Sequence, residues 1–277
     1  VLTYLRNAYL AELLPALVEQ AESAAGRARA RILVVDNDPA GGAEQTARAA
    51  RSGGAEPDGA EPEIVYVHEP EPGIVAGRNR ALDESGRERL LVFIDDDELP
   101  RPGWLAALLD ARQRHGCAAV TGPTPPVFET APDPWVAACG AFDSWEAADG
   151  AQVRSADTGN LLLDLGVVER LGLRFDPRYG LTGGEDSLFT RQLTRAGGVI
   201  RFAAGAIVTK RVPAARARRT WVLERSLRSG SSWARVRIDT AGPADGASGG
   251  LARLRLRPGY GVKGLAQAGG DGARAGV

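Results

Sequence analysis

Short apolar runs alternate with amphipathic stretches along most of the chain. The apolar runs are rich in β-branched and aliphatic side chains and are bounded by turn residues, which is typical of buried parallel strands. They cover residues 31–35, 64–68, 90–94 and 118–121. Helical periodicity covers residues 9–25, 76–85 and 103–114, and residues 1–4 resemble the end of a first strand. This alternation predicts an α/β fold with a doubly wound, mostly parallel sheet, whose ligands lie beyond the carboxyl ends of the strands.

Two segments break this pattern. Residues 52–63 form a polar insertion rich in Gly, Pro and Glu, and residues 241–277 are rich in Gly, Ala and Arg, so we expect both to be flexible. The resulting prediction has three parts: a catalytic domain over residues 1–210, a basic helical extension or lid over 211–240, and a low-complexity tail over 241–277.

Composition excludes several classes of protein. The 277 residues include 34 basic and 35 acidic side chains, so the net charge of -1 gives no broad basic surface of the kind that binds nucleic acid. Cys117 and Cys139 are the only cysteines, and their spacing supports neither a disulfide framework nor a zinc site. Without a signal peptide or an apolar run of membrane-spanning length, we expect a cytoplasmic protein. The sequence contains no methionine, so we expect it to be a fragment or to lack its true start.

Acidic side chains follow two of the predicted strands. Residues 36–38 are Asp-Asn-Asp, and residues 95–98 are Asp-Asp-Asp-Glu. Both groups should meet at the carboxyl edge of the sheet, where carboxylates that share a site repel one another unless a cation or strong donors compensate. Oxygen ligands of this kind suit Mg²⁺ or Mn²⁺ together with substrate phosphates. The competing interpretation is a solvated turn that caps the following helix.

A third acidic pair, Glu185 and Asp186, follows two glycines at the start of a predicted helix. We expect the pair to be poised at the surface and not buried. Carboxylates in the first turn of a helix are ordinary partners of its dipole, so this pair alone is weak evidence for a site. Its occurrence together with the two strand-end groups favours one. The helix should turn three apolar side chains inward: Leu188, Phe189 and Leu193.

Six motifs together resemble the family 2 inverting glycosyltransferases of the GT-A fold, most closely the bacterial exopolysaccharide branch typified by succinoglycan glucosyltransferases. Each motif is weak alone, but the ordered set spans about residues 1 to 230. The motifs are T-Y-L-R-N at 3–7, V-V-D-N-D at 34–38, G-I-V-A-G-R-N-R-A-L at 73–82, F-I-D-D-D-E-L-P at 93–100, T-G-N-L-L-L at 158–163 and F-D-P-R-Y-G-L-T-G-G-E-D-S at 175–187.

The resemblance implies a role for individual residues. Asp97 and Asp95 would hold Mn²⁺ or Mg²⁺, Asp95 also facing the ribose, while Asp36 would contact the nucleotide base. Asp186 would act as the catalytic base, with Glu185 beside it. The remaining donor-site residues implied by the motifs are Thr3, Tyr4, Arg6, Arg78, Asn79 and Asp96.

The implied reaction moves one sugar, with inversion, from a nucleoside-diphosphate sugar to an acceptor hydroxyl. The donor is expected to be a UDP-sugar and the acceptor a carbohydrate, a lipid-linked molecule or a small molecule, in polysaccharide or glycoconjugate biosynthesis. The Q-x-x-R-W element of processive relatives is absent from the sequence, which favours transfer of single sugars.

Several alternatives stay open at this point. A catalytically silent nucleotide-sugar-binding protein is one, because Lys210 stands where relatives often keep an acid or a histidine near the metal. A sugar nucleotidyltransferase is another, although residues 3–7 offer no Gly-rich phosphate loop with a lysine. The Arg-rich segment 210–237 fits a solvated helix, a peripheral contact with anionic lipid on the inner face of the membrane, or a lid over phosphates. Trp135 and Trp145 suit either acceptor stacking or loop packing.

Overall fold

The computed structural model describes residues 1–51, 62–180 and 182–241. The chain divides into two compact units, one formed by Val1–Thr124 and Trp145–Lys210, the other by Pro125–Ser144 and the residues from Arg211 onward. The predicted flexible segments fall almost entirely on residues outside the described ranges. The predicted catalytic domain, helical extension and tail therefore stay a prediction.

The first unit contains most of the regular structure. Its strands are β1 (Leu2–Thr3), β2 (Ile32–Asp36), β3 (Ile64–His68), β4 (Leu90–Ile94), β5 (Glu98–Pro100), β6 (Ala119–Thr121), β8 (Gln152–Val153), β9 (Asn160–Asp164), β10 (Ile200–Phe202) and most of β11 (Val208–Val212). Its helices are α1 (Asn7–Ser23), α2 (Glu44–Arg51), α3 (Ile74–Glu84), α4 (Trp104–His115), α6 (Leu165–Arg170), α7 (Glu185–Arg195) and a short 3-10 turn, Pro177–Tyr179. The second unit contains β7 (Pro126–Phe128), α5 (Pro134–Ala138) and α8 (Arg219–Asp239).

The strands of the first unit form a mostly parallel sheet. Strands β1, β2 and β3 pair in parallel, and β4, β9, β6, β10 and β8 follow one another in a second ladder. A single parallel bridge between Leu2 and Asp95 joins the two ladders, so β1 lies between β2 and β4. Within these two ladders, only β9 and β8 run against the other strands. The doubly wound, mostly parallel α/β fold is therefore confirmed.

All four predicted apolar runs are strands, and the three predicted helices exist with ends shifted by one or two residues. The sequence did not reveal β9, whose five residues are all buried. A strand buried on both faces lacks the polar alternation that marks an ordinary antiparallel strand. The stretch 123–157, which shows no periodicity, contains only short elements.

Alternating side chains of the central strands belong to two apolar cores, one on each face of the sheet. On one face, Val34 and Leu162 pack with the leucines of α1 and α4. On the other face, Val35 and Leu161 pack with apolar residues of α3 and α7, including Phe189 and Leu193. Leu188 is also buried, so all three side chains that the sequence predicted to face inward do so. The period-2 alternation of a strand places helices on both faces, which leaves the carboxyl edge of the sheet open for a site.

Asn160 fixes the start of β9 next to that edge. Its side-chain oxygen accepts a hydrogen bond from the Trp104 indole at 2.9 Å, and its amide donates to the Ala206 carbonyl at 2.7 Å. Gly122, after β6, lies against the same carbonyl, because a Cβ at position 122 would come within 2.1 Å of the Ala206 oxygen. This close approach explains why glycine is required there.

Strand β11 brings a distant part of the chain to the acidic residues. It pairs antiparallel with β5, and in this register Lys210 stands opposite Glu98. The pairing thus places a cationic side chain beside the carboxyl groups that follow β4.

The second unit has its own small core. Val136, Cys139 and Val222 are buried, and Phe142 stacks on Trp221 with ring centroids 5.7 Å apart. Trp135 packs against this core, while Trp145, in the first unit, lies edge-on to Phe202. Among the described helices, none is both long enough and apolar enough to cross a membrane.

We expect Gly122→Ala to lower the free energy of unfolding by about 1 to 3 kcal/mol, the usual range for overpacking, because the new methyl group meets backbone that cannot move freely. Chemical denaturation followed by circular dichroism measures the change. Gly26→Ala is the matched control, since no atom lies within 4 Å of a Cβ at that position. Equal stability of the two variants would contradict the close approach of Gly122 to Ala206.

Candidate functional site

The residues after β4 form an acidic cluster at the carboxyl edge of the sheet, which we define as Asp95, Asp96, Asp97 and Glu98. Strand β1 and the turn after it hold one end of this cluster. The Thr3 hydroxyl donates to Asp96 at 3.0 Å, and the Arg6 guanidinium contacts Asp96 at 2.7 Å and Asp97 at 3.1 Å. Thr3 and Arg6 therefore compensate part of the repulsion within the cluster.

The turn between β1 and α1 is unusual in its backbone. Leu5 has a φ of 55°, in the left-handed region that non-glycine residues rarely adopt, and its side chain is exposed. This conformation lies between Tyr4, also exposed, and Arg6, which contacts the acids. Backbone strain of this kind is found where the surrounding structure fixes a functional geometry.

Lys210 holds the other end of the acidic cluster. Its ammonium nitrogen lies 2.9 Å from Glu98, 3.1 Å from Asp95 and 3.6 Å from Asp97. Gly159 makes room for this arrangement, because a Cβ at that position would come within 2.4 Å of the Glu98 carboxyl group. The glycine of the T-G-N-L-L-L motif thus leaves room for the side chain of Glu98.

Burial and the neighbouring charges shift the pKa values of this cluster in different directions. Burial raises the pKa of Glu98 to about 8, although the attraction of Lys210 opposes that rise. For Asp95, burial acts in the same sense, but Lys210 and Arg78 outweigh it and hold its pKa below the usual value. Burial would lower the pKa of Lys210, yet the attraction of Glu98, Asp95 and Asp97 raises it well above normal. The lysine is therefore a permanent cation.

The donor set of the acidic cluster fits a divalent ion. Asp95, Asp97 and Glu98 each offer a carboxylate oxygen, and these oxygens lie within 4.8 Å of one another. Hard oxygen ligands are those that Mg²⁺ takes, with substrate phosphates completing its coordination. The sequence singled out Asp95 and Asp97, and the structure adds Glu98 to them. The same three carboxyl groups contact Lys210.

Asp36 lies two strands away from the acidic cluster, at the same edge of the sheet. It is opposite Thr3 in the pairing of β1 with β2, and it is fully buried. Its carboxylate accepts hydrogen bonds from the Ala43 amide at 2.8 Å, the Asp38 amide at 3.0 Å and the Tyr66 hydroxyl at 3.0 Å. Asp36 thereby fixes the loop that follows β2.

The predicted pair Glu185 and Asp186 is only partly as expected. Glu185 is buried and forms an ion pair with the equally buried Arg78, so the expectation that both acids would be poised at the surface is wrong for Glu185. Burial raises the pKa of Glu185 against the attraction of Arg78. A buried acid of this kind needs such a partner, because an isolated charge away from water is strongly unfavourable. The pair joins α3 to α7.

Asp186 lies next to this pair in the first turn of α7. It is only partly buried, and its carboxylate accepts a hydrogen bond from the Ser187 amide at 2.6 Å. Gly184, at the N-cap, has a φ of 92°, a conformation that glycine adopts without strain and that turns the chain sharply into the helix. The accessible carboxylate of the pair is thus that of Asp186.

Asn79, on α3, directs its side chain to the backbone of the segment before α7. Its side chain bonds both the carbonyl and the amide of Phe175, at 2.9 Å and 3.0 Å. In the free chain it therefore anchors the segment that leads to α7.

Sequence reasoning gave no site role to Glu98 beyond membership of the acidic run. Lys210 was noted only as a departure from relatives. No local pattern marks either side chain as part of a single cluster, because 112 residues separate them along the chain. The pairing of β5 with β11 brings the two side chains together, and that pairing cannot be read from the sequence pattern.

Solved structures with a similar fold include the crystal structure of S. aureus TarS 1-349. The likeness has a TM-score of 0.56 at 17% identity and covers 76% of this chain and 58% of that one. The same protein in complex with UDP-GlcNAc gives a TM-score of 0.53 at 15% identity, covering 76% of this chain and 57% of that one. The chain thus spans less than two thirds of these structures, and the likeness supports the GT-A fold that the motifs implied.

Sequence comparison is more specific. The chain is 36% identical over 245 residues to the succinoglycan biosynthesis protein ExoM of Rhizobium meliloti (strain 1021), a match that covers 87% of this chain and 75% of that protein. The family described as Glycosyl transferase family 2 matches residues 1–146, which hold the acidic cluster, Asp36 and Arg78. With its GT-A fold, the chain belongs to glycosyltransferase family 2.

Proposed function

We propose that the protein transfers one sugar, with inversion of configuration, from a UDP-sugar to an acceptor hydroxyl, with Mn²⁺ or Mg²⁺ as cofactor. The observation that carries this proposal is the acidic cluster at the carboxyl edge of the sheet, held by Thr3, Arg6 and Lys210. Ligands of open α/β sheets bind at this edge.

The donor would lie across the ends of β1, β2 and β4. The S. aureus TarS structures with UDP-GlcNAc and with UDP support a uridine nucleotide as its leaving group. In this proposal Asp36 and the loop it fixes contact the base, while Asp95 faces the ribose. The other residues that line or support the proposed donor site are Thr3, Tyr4, Arg6, Arg78, Asn79 and Asp96.

A bound divalent ion would neutralise charge that develops on the departing diphosphate. Asp97 and Asp95 would hold it, with Glu98 close by. Arg6 keeps Asp97 in place through the contact at 3.1 Å, and Thr3 and Arg6 together keep Asp96 turned toward β1. These residues orient the ligands before any donor arrives.

Asp186 would remove the proton from the acceptor hydroxyl. The Arg78–Glu185 ion pair keeps Asp186 at the start of α7, and the neighbouring Glu185 is already committed to Arg78. One base and one direct displacement leave no covalent intermediate, so the product should have the inverted configuration. The alternative is a silent nucleotide-sugar-binding protein, in which Lys210 occupies the carboxylates permanently. A nucleotidyltransferase would use the same acids, but residues 3–7 offer it no Gly-rich phosphate loop with a lysine.

The acceptor is proposed to be a carbohydrate, a lipid-linked molecule or a small molecule. The 36% identity to a succinoglycan biosynthesis protein supports a role in exopolysaccharide synthesis. We propose that this synthesis takes place on the cytoplasmic side of the membrane. Helix α8 supports peripheral contact with anionic lipid, because it combines several arginines with four exposed apolar side chains. Those side chains are Leu223, Leu227, Trp233 and Ile238.

Replacing Asp97 with Ala should abolish the metal-dependent binding of UDP, because it removes a central oxygen ligand of the acidic cluster. Titration calorimetry with UDP and Mn²⁺, with and without EDTA, measures the effect. Asp110→Ala is the matched control, since the Asp110 side chain is partly exposed and forms its ion pair with Arg27, away from the acidic cluster. Binding of UDP that is equally tight in EDTA would refute the role of the metal.

Replacing Asp36 with Asn should weaken UDP binding by about 1 to 3 kcal/mol and also lower the free energy of unfolding, since an amide cannot accept from both backbone amides and Tyr66. Tyr66→Phe separates the two effects, because it removes one hydrogen bond but leaves the carboxylate. Calorimetry below the unfolding temperature gives the affinity. If Asp36→Asn binds UDP normally, Asp36 does not contact the base.

Replacing Asp186 with Asn should reduce transfer by about 10² to 10⁴-fold, the usual contribution of a positioned base, while UDP binding is unchanged. Measurement of product formation and of product configuration by NMR tests both claims. Asp83→Asn is the control, because Asp83 is an exposed acid paired with Arg174. Full activity of Asp186→Asn, or a product of retained configuration, would count against the proposal, and UDP binding without any turnover by the unaltered protein would favour the silent binder.

A further inference from the structure

The contacts of Lys210 lead beyond the proposed reaction. The chain contains two lysines, Lys210 and Lys263, among its 34 basic residues, and one of them ends in the acidic cluster. Its ammonium group contacts all three carboxyl groups that could ligate a divalent ion. The nitrogen is 2.9 to 3.6 Å from their oxygens.

An ammonium group and a divalent ion compete for these carboxyl groups in two ways. Metal–oxygen distances of about 2.0 to 2.6 Å require the oxygens to converge on the ion, so oxygens engaged by an ammonium must be released or shared. In addition, two cations a few ångströms apart repel each other, and this repulsion is strong away from bulk water. Glu98 is 1% exposed and Asp97 4% exposed, so water screens their neighbourhood weakly.

We propose that Lys210 is an internal cation that occupies the metal ligands in the free protein, so that a divalent ion binds well only together with a nucleoside diphosphate. The diphosphate brings the negative charge and the oxygen ligands that allow the ion to bind while Lys210 moves away from the carboxylates. Metal binding and nucleotide binding are then coupled through one side chain, and the ion alone binds weakly. This inference rests on the proposed donor site for its ligands but not on sugar transfer.

Strand pairing supports a lasting position for Lys210. The backbone of β11 holds the lysine opposite Glu98, and the Thr209 hydroxyl donates to the Leu99 carbonyl at 3.2 Å. Only the side chain has to move for an ion to enter, since its exposed fraction of 34% leaves a path to solvent. The lysine thus acts as a tethered competitor whose local concentration is constant.

The test is the binding of Mn²⁺ alone, without nucleotide, measured by electron paramagnetic resonance of the free ion. We expect Lys210→Met to bind Mn²⁺ at least about tenfold more tightly than the unaltered protein, because a positive charge is lost from within 4 Å of the ligands. We also expect UDP to strengthen Mn²⁺ binding less in this variant. Arg27→Gln is the control for loss of a surface charge. Unchanged Mn²⁺ affinity of Lys210→Met would overturn the proposal.

Loss of Lys210 leaves four acids with one fewer partner, so the variant could fail to fold. A second comparison avoids this problem, because Glu98→Gln/Lys210→Met removes one negative and one positive charge together. Its Mn²⁺ affinity is compared with that of Glu98→Gln, and we expect the double variant to bind Mn²⁺ more tightly. In the unaltered protein, saturating Mn²⁺ should increase acetylation of Lys210 relative to Lys263, read by mass spectrometry; no increase would contradict the competition. Tighter Mn²⁺ binding by Lys210→Met without UDP binding by any variant would show that Lys210 competes with the ion, but it would refute both the coupling to nucleotide and the proposed function.

Discussion

Electrostatic repulsion within four consecutive acids at the end of β4 is the constraint on which the site depends. Carboxylates so close together cannot all stay charged in a buried place without compensation. The chain compensates from two sides, with Arg6 and Thr3 on the β1 side and Lys210 on the β11 side. Each partner comes from a different part of the sequence, and so the cluster ties three segments of the first unit together.

The Arg78–Glu185 ion pair compensates a second buried acid, at the start of α7. Neither side chain is more than 5% exposed, and the pair joins α3 to α7. Removing one partner of such a pair leaves an uncompensated buried charge, which is far more costly than removing both. The pair therefore explains how Asp186 is held in a definite position although two glycines precede the helix.

The parts of the fold that local pattern determines were predictable from sequence. Residues 64–68 and 90–94 are strands with the predicted bounds, because short β-branched runs between turn residues have few alternatives. Strand β9 was missed, since burial on both faces removes its alternation. The position of the acids at the carboxyl edge was also predictable, because each group follows a predicted strand of a mostly parallel sheet.

The partners of those acids were not predictable in the same way. Glu185 was expected at the surface, but its burial is decided by Arg78, more than a hundred residues earlier in the chain. Strand β11, which delivers Lys210, has polar residues at its three central positions, so it lacks the apolar run that marked the predicted strands. Pairing between distant strands is a property of the whole fold, and single-sequence periodicity carries no information on it.

The separation of Lys210 from Asp95 along the chain, 115 residues, also has a kinetic meaning. Contacts between residues far apart in sequence form late, because the entropy of closing the intervening loop must be overcome before the contact contributes. During synthesis from the N-terminus, β4 and its acids leave the ribosome long before β11 does. For that interval the acids have Thr3 and Arg6 but lack their lysine, so the emerging chain carries an anionic edge that is only half compensated until β11 is made.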